Sequence, residues 1–391
     1  MADRVMRKIL LAVALLCIAY SAQAIKIIHG PYIQAVSETE ATIVWATDAK
    51  ALSWVEVAPD DETHFYRDSR QKFYQTYFGK RVYGTVHKVR LTGLKPGTTY
   101  RYAVASKEVL EVVKHRVKYG FIATTDVYRK GAHRVTTLDA AKPSAEFLVL
   151  NDIHASQEKL EALLNCYEKG KTDFVVYNGD MVSYVPSTKA LFDGFIDTSV
   201  KRFATDTPMF MVRGNHETRG EFSTSYLDYF PTSNNKPYYT FKHGEAFFVV
   251  LDCGEDKPND HIEYYGTADY DTHRQEEAAW LQGVVESEEY KSAKYRIVFI
   301  HMPIVGGKKL WHGPSHASEC FLPILNKANV TVLLAGHTHR YAYHAPNTTD
   351  ATFPILVNAH DNALKAKICK DGVMIEAVDM EGKVKHTHTF R

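Results

Sequence analysis

Six nearly unbroken apolar runs divide the second half of the chain: EFLVL, DFVVY, PMFMV, AFFVVL, YRIVFI and VTVLLA. Strands of this kind show no alternation because both faces need cover, which predicts sheets layered with helices. Helical spacing appears between some of them. SQEKLEALLNCYEKG predicts a helix capped by Ser156, with Leu160, Leu163, Leu164 and Tyr167 on one face and Gly170 closing it. RQEEAAWLQGVVE reads the same way. The first part of the chain has another rhythm. ATIVWAT and VHKVRL alternate, turns such as KPG separate short segments, and LTGLKPGTTYRYAV puts Tyr100 and Tyr102 on one strand face. This predicts an all-β sandwich over residues 25–125 with Trp45 in its core. A polar stretch, 126–144, reads as a linker, and an α/β domain occupies 145–391.

The 391 residues suit two domains. Net charge is +1 with no Lys/Arg block, so nucleic acid is not an expected partner. Arg4, Arg7 and Lys8 precede an apolar run and the small-residue signal Ala22-Gln23-Ala24, which predicts a secretory signal peptide over 1–24 and a secreted or periplasmic protein. Leu16 before Cys17 argues against a lipoprotein signal, and no later segment is long and apolar enough to span a membrane. Cys166, Cys253, Cys320 and Cys369 remain after cleavage; their pairing, like the oligomeric state, stays open at this point.

The chemistry collects where the apolar strands stop. FLVL is followed by Asp152 and His154, VVYN by Gly179 and Asp180, and FMVR by Gly214, Asn215, His216 and Glu217. VFI is followed by His301, and LLA by Gly336, His337 and His339. In open α/β sheets ligands bind at the carboxyl ends of strands, so one sheet edge is expected to gather these residues. The glycines allow sharp turns and close backbone approach. D-x-H and H-x-H are expected to be short extended turns, where alternate residues share a face. Oxygen and imidazole donors without thiolate favour Zn, Mn, Fe or Mg over soft metals. Seven donors exceed one tetrahedral ion and suit two ions about 3.5–4 Å apart sharing a carboxylate. Two divalent ions outweigh Asp152 and Asp180, so the surplus positive charge draws phosphate and acidifies bound water.

The series D-x-H, G-D, G-N-H-E, H and G-H-x-H, over residues 147–339, resembles the calcineurin-like metallophosphoesterase superfamily. The resemblance implies a four-layer α/β/β/α sandwich. It implies one metal held by Asp152, His154, Asp180 and His339, and a second by Asp180, Asn215, His301 and His337. The ions implied are divalent or mixed-valence Fe, Mn or Zn. His216 matches the histidine that protonates the leaving oxygen. HGPYIQAVSETEATIVWAT with LTGLKPGTTYRYAV is similar to the fibronectin type III-like domain preceding the catalytic domain of purple acid phosphatases. The pattern departs from those enzymes in two places. His154 replaces the glycine of D-x-G, and Tyr184 falls one residue late for G-D-x-x-Y, so His154 is expected in the place of the tyrosine ligand and no tyrosinate colour is expected.

Beyond these, Arg219 and His312 are candidate substrate contacts, and GGKKLWHGPSH reads as a mobile loop. His386 and His388 read as a terminal surface strand. The resulting expectation is an exported dinuclear-metal phosphoesterase acting on a phosphorylated small molecule, with a metal-activated hydroxide attacking a phosphomonoester. A phosphodiesterase or nucleotide hydrolase is the alternative with the same site. A surface binding module with an inactive metal site is the alternative of another class.

Overall fold

The computed structural model describes residues 24–306 and 311–391. Apart from Ala24, the expected signal peptide lies outside the described residues. Among those residues no helix is long and apolar enough to cross a membrane, and the four cysteines are unpaired.

The N-terminal region is built on one long strand, Ala41–Pro59. Its first half pairs with Tyr83–Leu91 and its second half with Thr99–Val113, with a register break between Ala46 and Ala51. A strand that shifts at such a break serves both halves of a β domain. Trp45 is fully buried, and its indole donates to Ser106 Oγ at 2.9 Å, which satisfies the one polar atom a tryptophan brings into a core. The polar stretch 126–144 is more than a connection. His133–Thr136 pairs with Thr99–Val113, placing Val135 opposite Tyr100 and fully buried. A four-residue strand with two polar neighbours carries too little alternation to stand out in the sequence.

The C-terminal region contains two six-stranded sheets rather than one. The first runs in the order Met209–Val212, Phe174–Asn178, Ala145–Leu150, Asn362–Cys369, Gly372–Asp379, Val384–Phe390. The second runs Tyr239–His243, Ala246–Val250, Tyr295–Phe299, Val332–Ala335, Ile355–Val357, Ala342–His344. In the first sheet the three strands at one end, Met209–Val212, Phe174–Asn178 and Ala145–Leu150, are parallel and the rest antiparallel, while the second sheet has four parallel strands at its centre. The unbroken apolar runs now have a physical account. Phe147 and Val149 face the opposite sheet, while Leu148 and Leu150 pack outward with Leu160 and Leu163 of a covering helix. Phe248 and Val250 likewise face inward, with Phe247 and Val249 turned to Leu281 and Phe321. Phenylalanines fill the space between sheets. The Phe210 and Phe241 rings stack at 4.0 Å, those of Phe241 and Phe248 at 4.5 Å, and Phe174 meets Phe248 edge-on at 5.5 Å. The architecture is the α/β/β/α sandwich.

The covering helices follow the sequence with shifted ends. Ser156 caps Gln157–Leu163, accepting from Lys159 N–H at 3.4 Å, but the helix tightens to a 3₁₀ turn at Leu164–Cys166 and stops before Gly170. Tyr270–Glu286 is helical as expected. The expected loop 306–316 is helical from His312, since His312–Leu325 forms a helix with Pro314 in its first turn, where a missing N–H costs nothing. The terminal strand Val384–Phe390 carries His386 stacked on Tyr341 at 3.8 Å. Tyr102 Oη donates to Thr205 O at 2.7 Å and Tyr32 Oη to Tyr229 O at 2.9 Å, tying the N-terminal region to the segments on either side of the strand Met209–Val212.

His87 gives the N-terminal region a pH signature. It is 3% exposed, 2.8 Å from Thr47 Oγ1, and burial pushes its pKa down to about 4. The unfolded chain, with an ordinary histidine pKa near 6.5, then binds more protons than the folded chain between those values. Unfolding free energy measured in urea should therefore fall as pH drops from about 6.5 to about 4. That part of the slope should vanish in His87→Gln.

Candidate metal centre

Two sheet edges, not one, supply the centre. Asp152 follows Ala145–Leu150, Asp180 follows Phe174–Asn178, and Asn215 and His216 follow Met209–Val212, all in the first sheet. His301 follows Tyr295–Phe299, and His337 and His339 follow Val332–Ala335, all in the second. Asn178 joins the edges: its side-chain N–H donates to Leu334 O at 3.2 Å, and its carbonyl accepts from His301 Nδ1 at 2.8 Å. The second bond commits Nδ1 and turns His301 Nε2 inward, toward Asp180.

The turns are not extended. Asp152, His154, Asp180, His337 and His339 all have φ between +51° and +69°. Each such residue costs on the order of 1 kcal/mol, and their gathering at one place is characteristic of functional sites. The glycines act by absence of bulk. A Cβ on Gly179 would overlap the His301 ring, and one on Gly214 would overlap the Asp180 carboxylate. One on Gly336 would stand 2.8 Å from Asp152 Oδ2.

Donor atoms fall into overlapping groups: Asp152, His154 and His339; His154, Asp180 and His216; Asp180, His301 and His337. Asp180 Oδ2 lies 3.0 Å from His301 Nε2, 3.9 Å from His216 Nε2 and 4.0 Å from His154 Nε2. Asp152 Oδ1 lies 3.3 Å from His339 Nε2, itself 3.4 Å from His154 Nε2. Asn215 Oδ1 stands 3.1 Å from His337 Nδ1. All seven expected ligands, with His216, are thus brought together. A divalent cation suits this donor set. With Nδ1 donating to Asn178 O, a neutral His301 can only accept at Nε2, so the Asp180 oxygen 3.0 Å away leaves that buried atom unsatisfied unless a proton or a cation sits there.

The electrostatics agree. Burial pushes His154 and His337 down to about 4, leaving neutral imidazoles with lone pairs. Burial opposes charge on His301, but Asp180 and Asp152 overcome it and raise its pKa to about 10. The carboxylates therefore demand positive charge at Nε2, which a cation also satisfies. Burial likewise opposes charge on Asp180, yet His301 and His216 hold its carboxyl well below the usual range.

Glu217, quoted within GNHE, received no role from the sequence, yet it organises the site. Fully buried, it accepts from the backbone N–H of Gly214 and Asp180 at 2.9 Å each, Met181 at 2.7 Å and Val182 at 3.3 Å. Burial and the neighbouring Asp180 raise its pKa to about 7. Asn358 and Asn151 form a second relay, Asn358 Nδ2 to Asn151 Oδ1 at 2.7 Å and Asn151 Nδ2 to Asp152 Oδ2 at 2.6 Å. No spacing rule connects residues so far apart in sequence. His216 Nδ1 donates to Ser183 O at 3.0 Å, so its Nε2 faces the centre. Arg219 Nη1 lies 3.3 Å from the His216 ring nitrogens, while Nε and Nη2 fork onto Glu255 at 2.6 and 2.9 Å. His312 bonds Asp271 at 2.9 Å and joins none of the ligand groups. Tyr184 is 59% exposed, its ring edge-on to His216 at 6.4 Å.

This is the centre of a metal-dependent phosphoesterase fold, and residues 145–341 match the calcineurin-like phosphoesterases. The chain belongs to that family of metal-dependent phosphoester hydrolases. Residues 30–118 match the N-terminal domain of purple acid phosphatases. Purple acid phosphatase 21 of Arabidopsis thaliana is 23% identical over 308 residues, covering 76% of this chain and 62% of its own length. The serine/threonine-protein phosphatase CPPED1 of Mus musculus is 23% identical over 246 residues, covering 61% of this chain and 73% of its own. Among solved structures, the phosphoesterase Yfce of E. coli is 12% identical, with a TM-score of 0.32 over 63% of this chain and all of its own.

Glu217→Gln should place an amide N–H₂ against two backbone N–H donors. Metal affinity, read by calorimetry on metal-stripped protein, should weaken about 10–100-fold. Unfolding free energy should fall by about 1–3 kcal/mol.

Proposed function

We propose that the protein is an exported phosphomonoesterase using two metal ions. The supporting observation is the position of Asp180. Its carboxylate lies between the group of Asp152, His154 and His339 and the group of His301 and His337, as a bridging ligand must. Asp152, His154, Asp180 and His339 would hold one ion, and Asp180, Asn215, His301 and His337 the other. Bound there, two cations supply a nucleophile from water at neutral pH and neutralise charge on the phosphoryl oxygens.

The chain's own residues do the rest. Glu217 and the Asn358–Asn151 relay hold the two aspartates rigid, so little reorganisation is needed as charge develops. His216, anchored at Ser183 O, presents Nε2 to the centre and in its protonated form gives a proton to the leaving oxygen. Arg219 packs against that ring and limits its rotation. His154 occupies the place of the purple acid phosphatase tyrosine, which favours Zn, Mn or Fe without tyrosinate colour. Export rests on the basic start, the apolar run and the Ala22-Gln23-Ala24 signal in the sequence.

Asp180→Asn should lower kcat/KM for an aryl phosphomonoester by at least about a hundredfold and reduce bound metal from two ions to one or none, measured by elemental analysis. Full hydrolysis by this variant would sink the assignment. Wild type should prefer the monoester over the matching diester, and the reverse preference would select the diesterase reading.

A further inference from the structure

A cavity of about 570 Å³ opens beside the centre. Arg219 and Tyr184, both within reach of His216, form the shared wall. The far side carries Ile262, Tyr264, Tyr265 and Tyr270. Ile262 is 72% exposed and Tyr265 84% exposed, although large apolar side chains usually find cover. Tyr264 is held in place, its Oη accepting from Lys257 N–H at 3.1 Å, and its ring meets Tyr270 edge-on at 6.3 Å. We infer that this cavity is the leaving-group subsite and that it selects an aromatic alcohol carrying no negative charge. The inference rests on the phosphomonoesterase reading of the adjoining centre.

Two features carry it. The first is position and lining: a group esterified to a phosphoryl at the centre passes His216 and enters a space walled by four tyrosines, whose ring faces suit an aryl group. The second is charge. Arg219 is already committed to Glu255 and stands 3.5 Å from Asp256. Lys257 is shared between Asp256 at 3.2 Å and Glu263 at 3.0 Å. Two cations thus face three carboxylates, Glu255, Asp256 and Glu263. A leaving group with a further phosphate or a carboxylate meets net negative charge there. In the reaction, water forms the new bond to phosphorus, the bond from phosphorus to the aryl oxygen breaks, and that oxygen leaves as the phenol with a proton from His216.

Phenolate leaves more easily than an alkoxide in any phosphatase, so the informative quantity is the change in a ratio between variants. Tyr265→Ala, at an exposed position, should lower the ratio of kcat/KM for phenyl phosphate to that for ethyl phosphate about tenfold. Glu263→Gln should raise the ratio for 4-carboxyphenyl phosphate against phenyl phosphate about threefold. Either ratio staying at its wild-type value overturns the inference while leaving the phosphomonoesterase reading intact. A wild-type, metal-loaded protein that hydrolyses none of these esters overturns that reading and the inference together.

Discussion

Three carboxylates, Asp152, Asp180 and Glu217, are buried within one small volume where two sheets meet. Isolated, each would be costly, since removing an ionised carboxylate from water carries several kcal/mol of effective penalty. Their tolerance depends on how the charge is answered. Glu217 is met by backbone N–H groups alone, while Asp152 and Asp180 are also met by imidazoles, His339 Nε2 at 3.3 Å and His301 Nε2 at 3.0 Å. A fold that gathers negative charge and turns Nε2 of His301 onto the Asp180 carboxylate is arranged for cations.

That arrangement follows from sheet packing. The phenylalanines fill the space between the sheets, and the parallel strands of both sheets are followed by the candidate donors. Asn178 then fastens one edge to the other through Leu334 and His301. Gly179, Gly214 and Gly336 let neighbouring turns approach where any side chain would collide with His301, Asp180 or Asp152. The strained backbone at Asp152, His154, Asp180, His337 and His339 is held by hydrogen bonds such as His154 N–H to Asp180 O at 3.0 Å. Packing energy from the sheets supports a site that is locally unfavourable.

Beyond the centre, His216 adjoins two environments. One face of its surroundings is Ser183 and Asp180, the other is Arg219 and Tyr184. Arg219 in turn is anchored to Glu255, next to the wall of the neighbouring cavity. His216 therefore stands at the boundary between the cluster of carboxylates and imidazoles and the neighbouring cavity.

Much of this was legible in the sequence. Apolar runs doubly covered by sheet and helix cannot alternate, so the six strands and the residues after them were visible without coordinates. Donor chemistry is a property of residue type, so the series of candidate donors was visible too. The division into two sheets was not, because a strand's pattern records that both faces are covered, not what covers them. The left-handed turns were hidden as well, since His and Asp rarely adopt that backbone unless tertiary contacts impose it. Glu217, the Asn358–Asn151 relay, the helix at His312 and the pairing of His133–Thr136 share this reason. Each depends on partners brought close by folding. One sequence determines which groups exist and which strands they follow; only the three-dimensional packing decides which buried atoms face one another.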